Sequence, residues 1–328
     1  MLALFRTNQL LWSVLLLPYA FLLHAGIFAV SGSQPPAHAG VFSQWLYGII
    51  GYQGTLPDIL AILLLVMQGI MMNAMNMRHR LGETVNLFPG LFYILVASLL
   101  PEFLHLSPLL LANTFYLIAF ADLFSVYNQP RSAGYLFNIG LWIGLASLFH
   151  FSYIILVFWS FFGLNILRAY DIRERLMVLA GVLVPYLLTG LGYYLNDAFP
   201  VFLESQIYQN IGFFDFREMP FSWTLTSELL LFAVPFLIVL FSYGSFLSKR
   251  VIQEQKKINI LYWGLFFGGL TVCIQAGMGP EQMLILAPSM GFLLSITFVR
   301  LKPNWAEFYH FVLLIAALFL QFKPLLNL

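Results

Sequence analysis

Long apolar runs separated by short polar turns occupy most of the chain, and their lengths predict transmembrane α-helices. An α-helix needs about 20 predominantly apolar residues to cross a bilayer, with a range of about 17 to 25. The strands of a membrane barrel would instead alternate apolar and polar residues over about ten positions. The runs predict an all-α integral membrane protein with about eleven spans, at residues 9–31, 57–76, 87–101, 108–127, 134–149, 151–167, 176–195, 225–247, 259–277, 282–299 and 307–322.

The positions of lysine and arginine test this division and orient it. Positive charge marks cytoplasmic loops. If the N-terminus is cytoplasmic and the loops alternate, all but two of the 15 basic residues fall inside, the exceptions being Arg217 and Lys323. One long kinked helix through His150 is the alternative, but it would reverse every later loop and destroy this asymmetry. The pattern therefore favours eleven spans with the N-terminus inside and the C-terminus outside.

Composition supports the membrane class and narrows the chemistry. Of the 328 residues, 61% are hydrophobic and only 9% are charged, whereas a soluble domain carries about 25% charged residues. The net charge of +1 provides no basic field for nucleic acid. The single cysteine, Cys273, excludes an intrachain disulfide and argues against a thiolate metal site. We expect one polytopic domain over residues 1–328.

Two of the predicted outer loops carry amphipathic patterns that predict helices lying along the membrane surface. In the first loop, "VFSQWLYGII" at 41–50 places apolar residues at helical spacing, with Trp45 among them. In the fourth loop, residues 201–211 have a similar spacing between Pro200 and Gly212, residue types that often begin and end helices. Aromatic residues such as Trp45 favour the headgroup level. We expect the two helices together to roof an outward-facing cavity.

Acidic side chains collect at the predicted outer ends of the spans. Asp58 begins the second span, while Glu102 and His105 lie in the second outer turn. A carboxylate that faces a lipid-accessible groove can act as the general base when a sugar is transferred from a lipid-phosphate donor. Asp58, Glu102 and His105 are therefore the candidate catalytic residues if the protein is an enzyme. The interpretation we favour is that they only provide polarity at helix ends.

A tight cytoplasmic loop, "RAYDIRERL" at 168–176, contains Arg168, Arg173 and Arg175. These arginines are the candidate cytoplasmic contact, for a phosphate group or a partner protein. The favoured alternative is a positive-inside anchor whose charge is reduced by neighbouring acids through internal ion pairs.

Other polar residues inside the runs give weaker signals. Asp122 lies about one turn from the cytoplasmic end of its span, where an acid can mark an ion path. The favoured alternative is structural: the side chain reaches the cytoplasmic interface or pairs with a basic neighbour such as Arg168. His24, His150 and His310 have no second ligand at i+3 or i+4, so no metal site is expected. The sequence has no HExxH, CxxC, P-loop or GxGxxG motif, so no cofactor is expected either.

Small residues at GxxxG spacing predict close contacts between helices. They occur at Gly140 with Gly144 and at Gly264 with Gly268. In so large a bundle we expect these contacts to form within the chain rather than between two copies.

Several segments resemble a family of multi-pass inner-membrane proteins of Bacteroidota, some of whose members are labelled beta-carotene monooxygenases. The segments are "LRAYDIRERLMVLAGVLVPYLLTG", "MLALFRTNQLLWSVLLL", "LFPGLFYILVASLLP" and "YLFNIGLWIGLASLFHFSYIILVFW". The resemblance covers roughly the first 200 residues and implies a bacterial inner-membrane location. It does not extend to oxygenase chemistry, because the sequence has no cluster of histidines that could hold an iron.

A second resemblance is to the GT-C superfamily of lipid-linked glycosyltransferases. It rests on the cytoplasmic start of the first helix, the amphipathic helix in the first outer loop and the segment "GLWIGLASLFHFSYIILVF". The superfamily implies a polyprenyl-phosphate sugar donor and an acid within the first outer loop. Residues 32–57 contain no acid. Either Asp58 or Glu102 therefore substitutes for it, or the chemistry has been lost.

These patterns favour an accessory or scaffolding subunit in envelope biogenesis or protein export, with a GT-C-like bundle that does not catalyse. The first alternative is a glycosyltransferase that uses a polyprenyl-phosphate sugar. The second is a small-molecule or lipid transporter, although no internal repeat supports one. The expected partners are membrane lipids, other inner-membrane or envelope proteins and, for an enzyme, polyprenyl phosphate, with no nucleic acid.

Overall fold

The computed structural model describes residues 2–7, 9–28, 39–81, 84–129, 131–212, 223–244, 251–274 and 279–322. The basic residues Arg217, Lys249, Arg250 and Lys323 therefore lie outside the described residues. The α-helices of the described part are α1 Leu2–Phe5, α2 Leu16–Leu23, α3 Val41–Ile50, α4 Thr55–His79, α5 Phe88–Val96, α6 Pro108–Ser125, α7 Ala133–Phe149, α8 Leu156–Leu167, α9 Ile172–Leu195, α10 Phe199–Leu203, α11 Trp223–Phe241, α12 Ile252–Cys273, α13 Ala287–Arg300 and α14 Pro303–Phe322.

Five helical segments of the described residues are long and apolar enough to cross a membrane. They are Thr55–His79, Pro108–Ser125, Ile172–Leu195, Pro280–Arg300 and Pro303–Phe322. The fourth combines a 3-10 turn at Pro280–Leu286 with α13. Shorter apolar helices accompany them at Leu10–Leu23, Val41–Ile50, Ala133–Phe149, Phe151–Leu167 and Leu225–Phe241. The chain is therefore an all-helical, multi-pass membrane protein.

The predicted span at residues 87–101 differs most from its prediction. Only Phe88–Val96 is α-helical there, and all nine residues are buried. At 1.5 Å per residue this helix is about 14 Å long, less than half of the roughly 30 Å hydrocarbon core. A helix surrounded by other helices and a helix surrounded by lipid both need apolar side chains. Hydropathy alone therefore cannot distinguish a buried helix from a membrane span. Helix length therefore does not confirm the count of eleven.

Three local predictions match the structure closely. The first-loop helix α3 has the predicted bounds, Val41–Ile50. The fourth-loop helix begins as α10 and continues as a π-helix at Glu204–Tyr208. His150 has extended backbone angles (φ −147°, ψ 111°) between α7 and the 3-10 turn that precedes α8. The break that keeps those two helices separate is therefore confirmed.

The predicted GxxxG contacts form within the chain. A Cβ atom added to Gly140 of α7 would lie 1.9 Å from the Val178 carbonyl oxygen of α9. The approach is reciprocal, because a Cβ on Gly181 of α9 would lie 2.1 Å from the Phe137 oxygen. Gly264 of α12 packs in a similar way against a serine side chain of α13. Only glycine lets the backbones approach so closely.

The two ends of the helix bundle carry opposite charge. Helix α4 begins near Asp58 and ends at Arg78, 25 residues in all. The end of the bundle at Asp58, called here the acidic end, also contains Glu102, His105 and Glu281. The opposite end, called the basic end, contains Arg78, Arg80, Arg168, Arg175 and Lys257.

Candidate functional site

Two of the three candidate catalytic residues meet at the acidic end. The Nδ1 atom of His105 lies 3.6 Å from the Oδ1 atom of Asp58. The side chains are partly accessible, with 28% of His105 and 15% of Asp58 exposed. Asp58 stands in the first turn of α4, where a carboxylate is also favoured by the helix dipole. The pair therefore combines a carboxyl group with an imidazole partner, and both side chains are accessible to solvent.

The turn that carries His105 is fixed by its own sequence. Pro101 begins a 3-10 turn that contains Glu102. Ser107 caps the N-terminus of α6, its side chain accepting a hydrogen bond from the Leu110 amide at 3.1 Å. The prolines and the cap hold the chain reversal, so that His105 is presented to α4.

Glu102, the third candidate, points into a different environment. Its Oε2 atom is buried and has no hydrogen-bond partner among the described residues. The carboxylate of Glu281, at the start of the 3-10 turn before α13, interacts electrostatically with Glu102. Burial raises the pKa of the Glu102 carboxyl above its usual range. No local sequence pattern predicts that Glu281, so far along the chain, stands beside Glu102.

The raised pKa of Glu102 predicts a pH-dependent stability. In the folded chain the carboxyl holds its proton to a higher pH than in the unfolded chain. The resulting stabilisation is complete below the ordinary carboxyl pKa and is lost as the pH rises through the raised value. We expect Glu102→Gln to raise the thermal unfolding midpoint in detergent at pH 8, by about 2–4 °C per kcal/mol. At pH 4 the difference should vanish.

The matched control is Glu204→Gln, because Glu204 is exposed. Its unfolding midpoint should follow that of the native protein at both pH values. An equal shift in the two variants would show that burial of Glu102 is not the cause.

Helix α3 and the helical segment at residues 199–208 form a continuous cover beside these residues. The Tyr47 hydroxyl of α3 donates to the Leu106 carbonyl at 3.0 Å. The buried amide of Gln206 joins the two loops, accepting from the Val41 backbone N–H at 2.9 Å and donating to the Ser147 carbonyl at 2.7 Å. The two loop helices are thus bonded to each other through Gln206.

An apolar groove of about 560 Å³ adjoins this cover. Five helices contribute to its walls, among them α3 with Trp45, α4 with Leu64, α6 with Leu111, α7 with Phe149 and α9 with Tyr193. Leu64 follows Asp58 by six residues on the same helix, which is about 9 Å along its axis. The groove therefore lies about 9 Å further along α4 than Asp58, and neither Asp58 nor His105 belongs to its lining.

The candidate cytoplasmic arginines are largely used within the chain. Arg168 Nη1 lies 2.8 Å from Glu174 Oε1, and Arg175 Nη1 lies 3.8 Å from Glu174 Oε2. The Arg175 guanidinium also stacks 4.5 Å from the centre of the Tyr170 ring. Arg173 is exposed. This geometry favours the internal ion pairs over an external contact for Arg168 and Arg175.

The remaining polar candidates have partners inside the bundle. The Trp142 indole N–H donates to Asp122 Oδ2 at 3.1 Å. The basic neighbour of Asp122 is Arg78, whose charge attracts the Asp122 carboxylate, whereas Arg168 is bound to Glu174 of its own loop. His310 Nε2 lies 3.0 Å from the Tyr19 hydroxyl, and His24 Nδ1 lies 3.5 Å from a serine hydroxyl. Within the described part of the chain no group of three or more His, Cys, Asp or Glu could hold a metal ion.

Comparison with solved structures places this architecture. ArnT from Cupriavidus metallidurans bound to undecaprenyl phosphate matches with a TM-score of 0.55 at 17% identity, covering 94% of this chain and 60% of ArnT. ArnT in the apo state matches with a TM-score of 0.52 at 17% identity, covering 89% and 56%. The oligosaccharyltransferase of Archaeoglobus fulgidus has a TM-score of 0.48 at 13% identity, covering 94% and 51%.

The fold is similar to that of ArnT. This conclusion rests on the two ArnT structures, and at such low identity it concerns the fold alone. The chain spans about 60% of the length of ArnT. No protein-family model matches the sequence, and no curated protein matches it. The resemblance to the Bacteroidota family therefore stays a prediction.

Proposed function

We propose that the chain is a GT-C-like membrane glycosyltransferase that takes its sugar from a polyprenyl-phosphate donor at the acidic end. One observation carries the proposal: the partly exposed Asp58–His105 pair and the apolar groove share helix α4, about 9 Å apart along its axis. ArnT, which has a similar fold, is described in complex with undecaprenyl phosphate. Such a ligand has an apolar chain and an anionic head. The groove would hold the apolar chain, and the polar acidic end would face the head.

Asp58 would act as the general base, with His105 as the residue that orients its carboxylate. Asp58 removes the proton from an acceptor hydroxyl, and that oxygen forms a bond to the anomeric carbon of the sugar. The bond between the anomeric carbon and the phosphate oxygen breaks, and polyprenyl phosphate leaves with the electron pair. This assignment reverses the interpretation favoured from sequence, because the structure pairs Asp58 with a histidine instead of leaving it at a bare helix end.

The groove would hold the isoprenoid chain, and the cover of α3 and the fourth-loop helix would close the site. The walls of the groove are almost wholly apolar, with Trp45 at the rim and Phe149 inside. Burial of apolar surface stabilises a bound chain by about 25 cal/mol per Å². The polar head would then lie toward Asp58, where the chemistry takes place.

The test compares lipid-linked and acceptor glycans in cells that produce the native protein, Asp58→Asn or the control Asp197→Asn. Asp197 is exposed in the loop after α9, so its replacement should leave the glycans unchanged. We expect Asp58→Asn to abolish one defined glycan at a normal protein level. Identical glycan profiles in all three strains would contradict the proposed glycosyltransferase function.

An accessory subunit is the second candidate, and the acid content of the first loop favours it. Residues 32–57 lack the acid implied by the GT-C resemblance. In that case the protein would act in envelope biogenesis or protein export together with another inner-membrane protein. Isolation in mild detergent followed by mass spectrometry should then recover a stoichiometric partner, and a solitary chain would argue against the role.

We further propose eleven crossings of a bacterial inner membrane, with the basic end in the cytoplasm. Helices α4 and α6 both run from the acidic to the basic end, so the chain between them must return across the bundle. Helix α5 and the turns after it provide this return, although α5 alone is short. The asymmetry of charge between the two ends then follows the positive-inside rule.

Cysteine accessibility tests this topology after Cys273 has been replaced by serine. We expect Ser33→Cys and Asn327→Cys to react with a membrane-impermeant maleimide in intact spheroplasts. Gln253→Cys, at the basic end, should react only after the membrane is permeabilised. Reaction of position 253 in intact spheroplasts would contradict the model of eleven crossings.

A further inference from the structure

A polar cavity of about 390 Å³ opens at the basic end, far from the Asp58 site. It lies between the end of α4, the end of α6 and the start of α12. Its lining includes Arg78, Arg80 and Lys257, with the polar side chains of Tyr127 and Gln129 beside them. Three basic groups therefore converge on one concave space, rather than being spread over a flat surface.

Lys257 sets this cavity apart from an ordinary positive-inside loop. Only 2% of Lys257 is exposed, although lysine is almost never buried without a partner. Its ammonium has three N–H donors. Among the described residues it donates to one acceptor, the His79 carbonyl, at 3.1 Å. Within the described part of the chain, the buried Lys257 ammonium therefore has N–H donors left that can bond to a ligand.

The neighbouring groups leave the cavity positively charged. Among the described residues, Glu254, one turn earlier on α12, attracts Lys257, and Asp122 of α6 attracts Arg78. The two carboxylates offset two of the three positive charges. The charges of both Lys257 and Arg78 interact electrostatically with the His79 ring. Both basic groups therefore lie close to His79. Its Nε2 atom is buried and has no hydrogen-bond partner among the described residues. The cavity therefore offers both net positive charge and unused hydrogen-bonding capacity.

We propose that this cavity binds a phosphate group, with Lys257 as its buried anchor and Arg78 and Arg80 as its outer clamps. Phosphate is the anion that matches these groups, because arginine offers planar paired donors and lysine a point charge. The phosphate would belong either to an anionic lipid headgroup or to a soluble phosphate compound. The proposal does not depend on the function proposed for the acidic end, because the two sites lie at opposite ends of the bundle.

The test uses the full chain in neutral detergent and in nanodiscs. One arm titrates inorganic phosphate and pyrophosphate and follows thermal unfolding. The other arm compares nanodiscs of phosphatidylcholine with nanodiscs containing phosphatidylglycerol, and weighs the lipid that the protein retains by native mass spectrometry. Stabilisation by phosphate in detergent would identify a soluble ligand, whereas selective retention of phosphatidylglycerol would identify a headgroup.

Lys257→Met should weaken binding by about tenfold or more in whichever arm responds. The control is Lys302→Met, because Lys302 is exposed between α13 and α14 and is not part of the cavity lining. Its binding should stay within about twofold of the native protein. If Lys257→Met does not fold, Arg78→Gln combined with Arg80→Gln gives the same comparison. Binding in neither arm, or an equal loss in the Lys302→Met control, would overturn the proposal.

Discussion

Among glycine-to-alanine substitutions in the described helices, Gly140→Ala is expected to lower the stability of the protein most. The new Cβ would lie 1.9 Å from the Val178 carbonyl oxygen. That oxygen belongs to the backbone of α9 and cannot rotate away, so the two helices must separate. Overpacking of this kind costs about 1–3 kcal/mol and occasionally more, and we expect the upper end. Thermal unfolding in detergent, followed by tryptophan fluorescence, measures the loss.

Gly192→Ala is the control for this prediction. Gly192 lies in α9, the helix that packs against Gly140 of α7, and nothing stands within 4 Å of the position that its Cβ would take. Alanine is preferred over glycine inside a helix by about 1 kcal/mol, so this variant should be as stable as the native protein or slightly more stable. A drop in Gly192→Ala equal to that in Gly140→Ala would show that helix packing is not responsible.

Gln206→Leu should detach the two outer-loop helices from each other. Leucine keeps much of the volume but leaves the Val41 N–H and the Ser147 carbonyl without their partner. Each buried group left unpaired costs about 1–3 kcal/mol. We expect hydrogen exchange of the α3 amides, in Val41–Ile50, to accelerate at least tenfold, because about 1.4 kcal/mol of local stability corresponds to a factor of ten.

The control for this second prediction is Gln209→Leu, three residues further along the same segment. Gln209 is exposed. Exchange in α3 should then match the native protein. Unchanged exchange in Gln206→Leu would mean that the cover is held by apolar contacts, such as those of Phe202 with α7 and α9, and not by the amide.

The sequence was sufficient where local rules decide the structure. Helical spacing of apolar residues predicted α3 at its observed bounds, Val41–Ile50. The charge pattern predicted the break at His150, which the extended backbone there confirms. GxxxG spacing at Gly140 predicted a close contact within the chain, and α9 supplies it. In each case the signal lies within a few residues of the feature.

The sequence was insufficient where distant segments decide the environment. Residues 87–101 read as a span because burial in protein and burial in lipid require the same apolar side chains. Lys257 lies just before the predicted span at 259–277, yet α12 already begins at Ile252 and buries it. The proximity of Glu102 to Glu281 depends on the packing of segments far apart in the chain. No local pattern carries such information.

The burial of α5 has a consequence for how the protein is made. The helix is too short to span a bilayer alone, and its neighbour α13 comes from the far end of the chain, with the Phe92 and Phe298 rings 4.4 Å apart. Gly291 of α13 also rests on the Tyr93 backbone. Ribosomes release the chain from its N-terminus onward. Phe92 and Tyr93 therefore have no contact with α13 until most of the chain has been translated. A premature stop codon before residue 287 would thus yield an inserted but unfinished chain, which membrane proteases could remove.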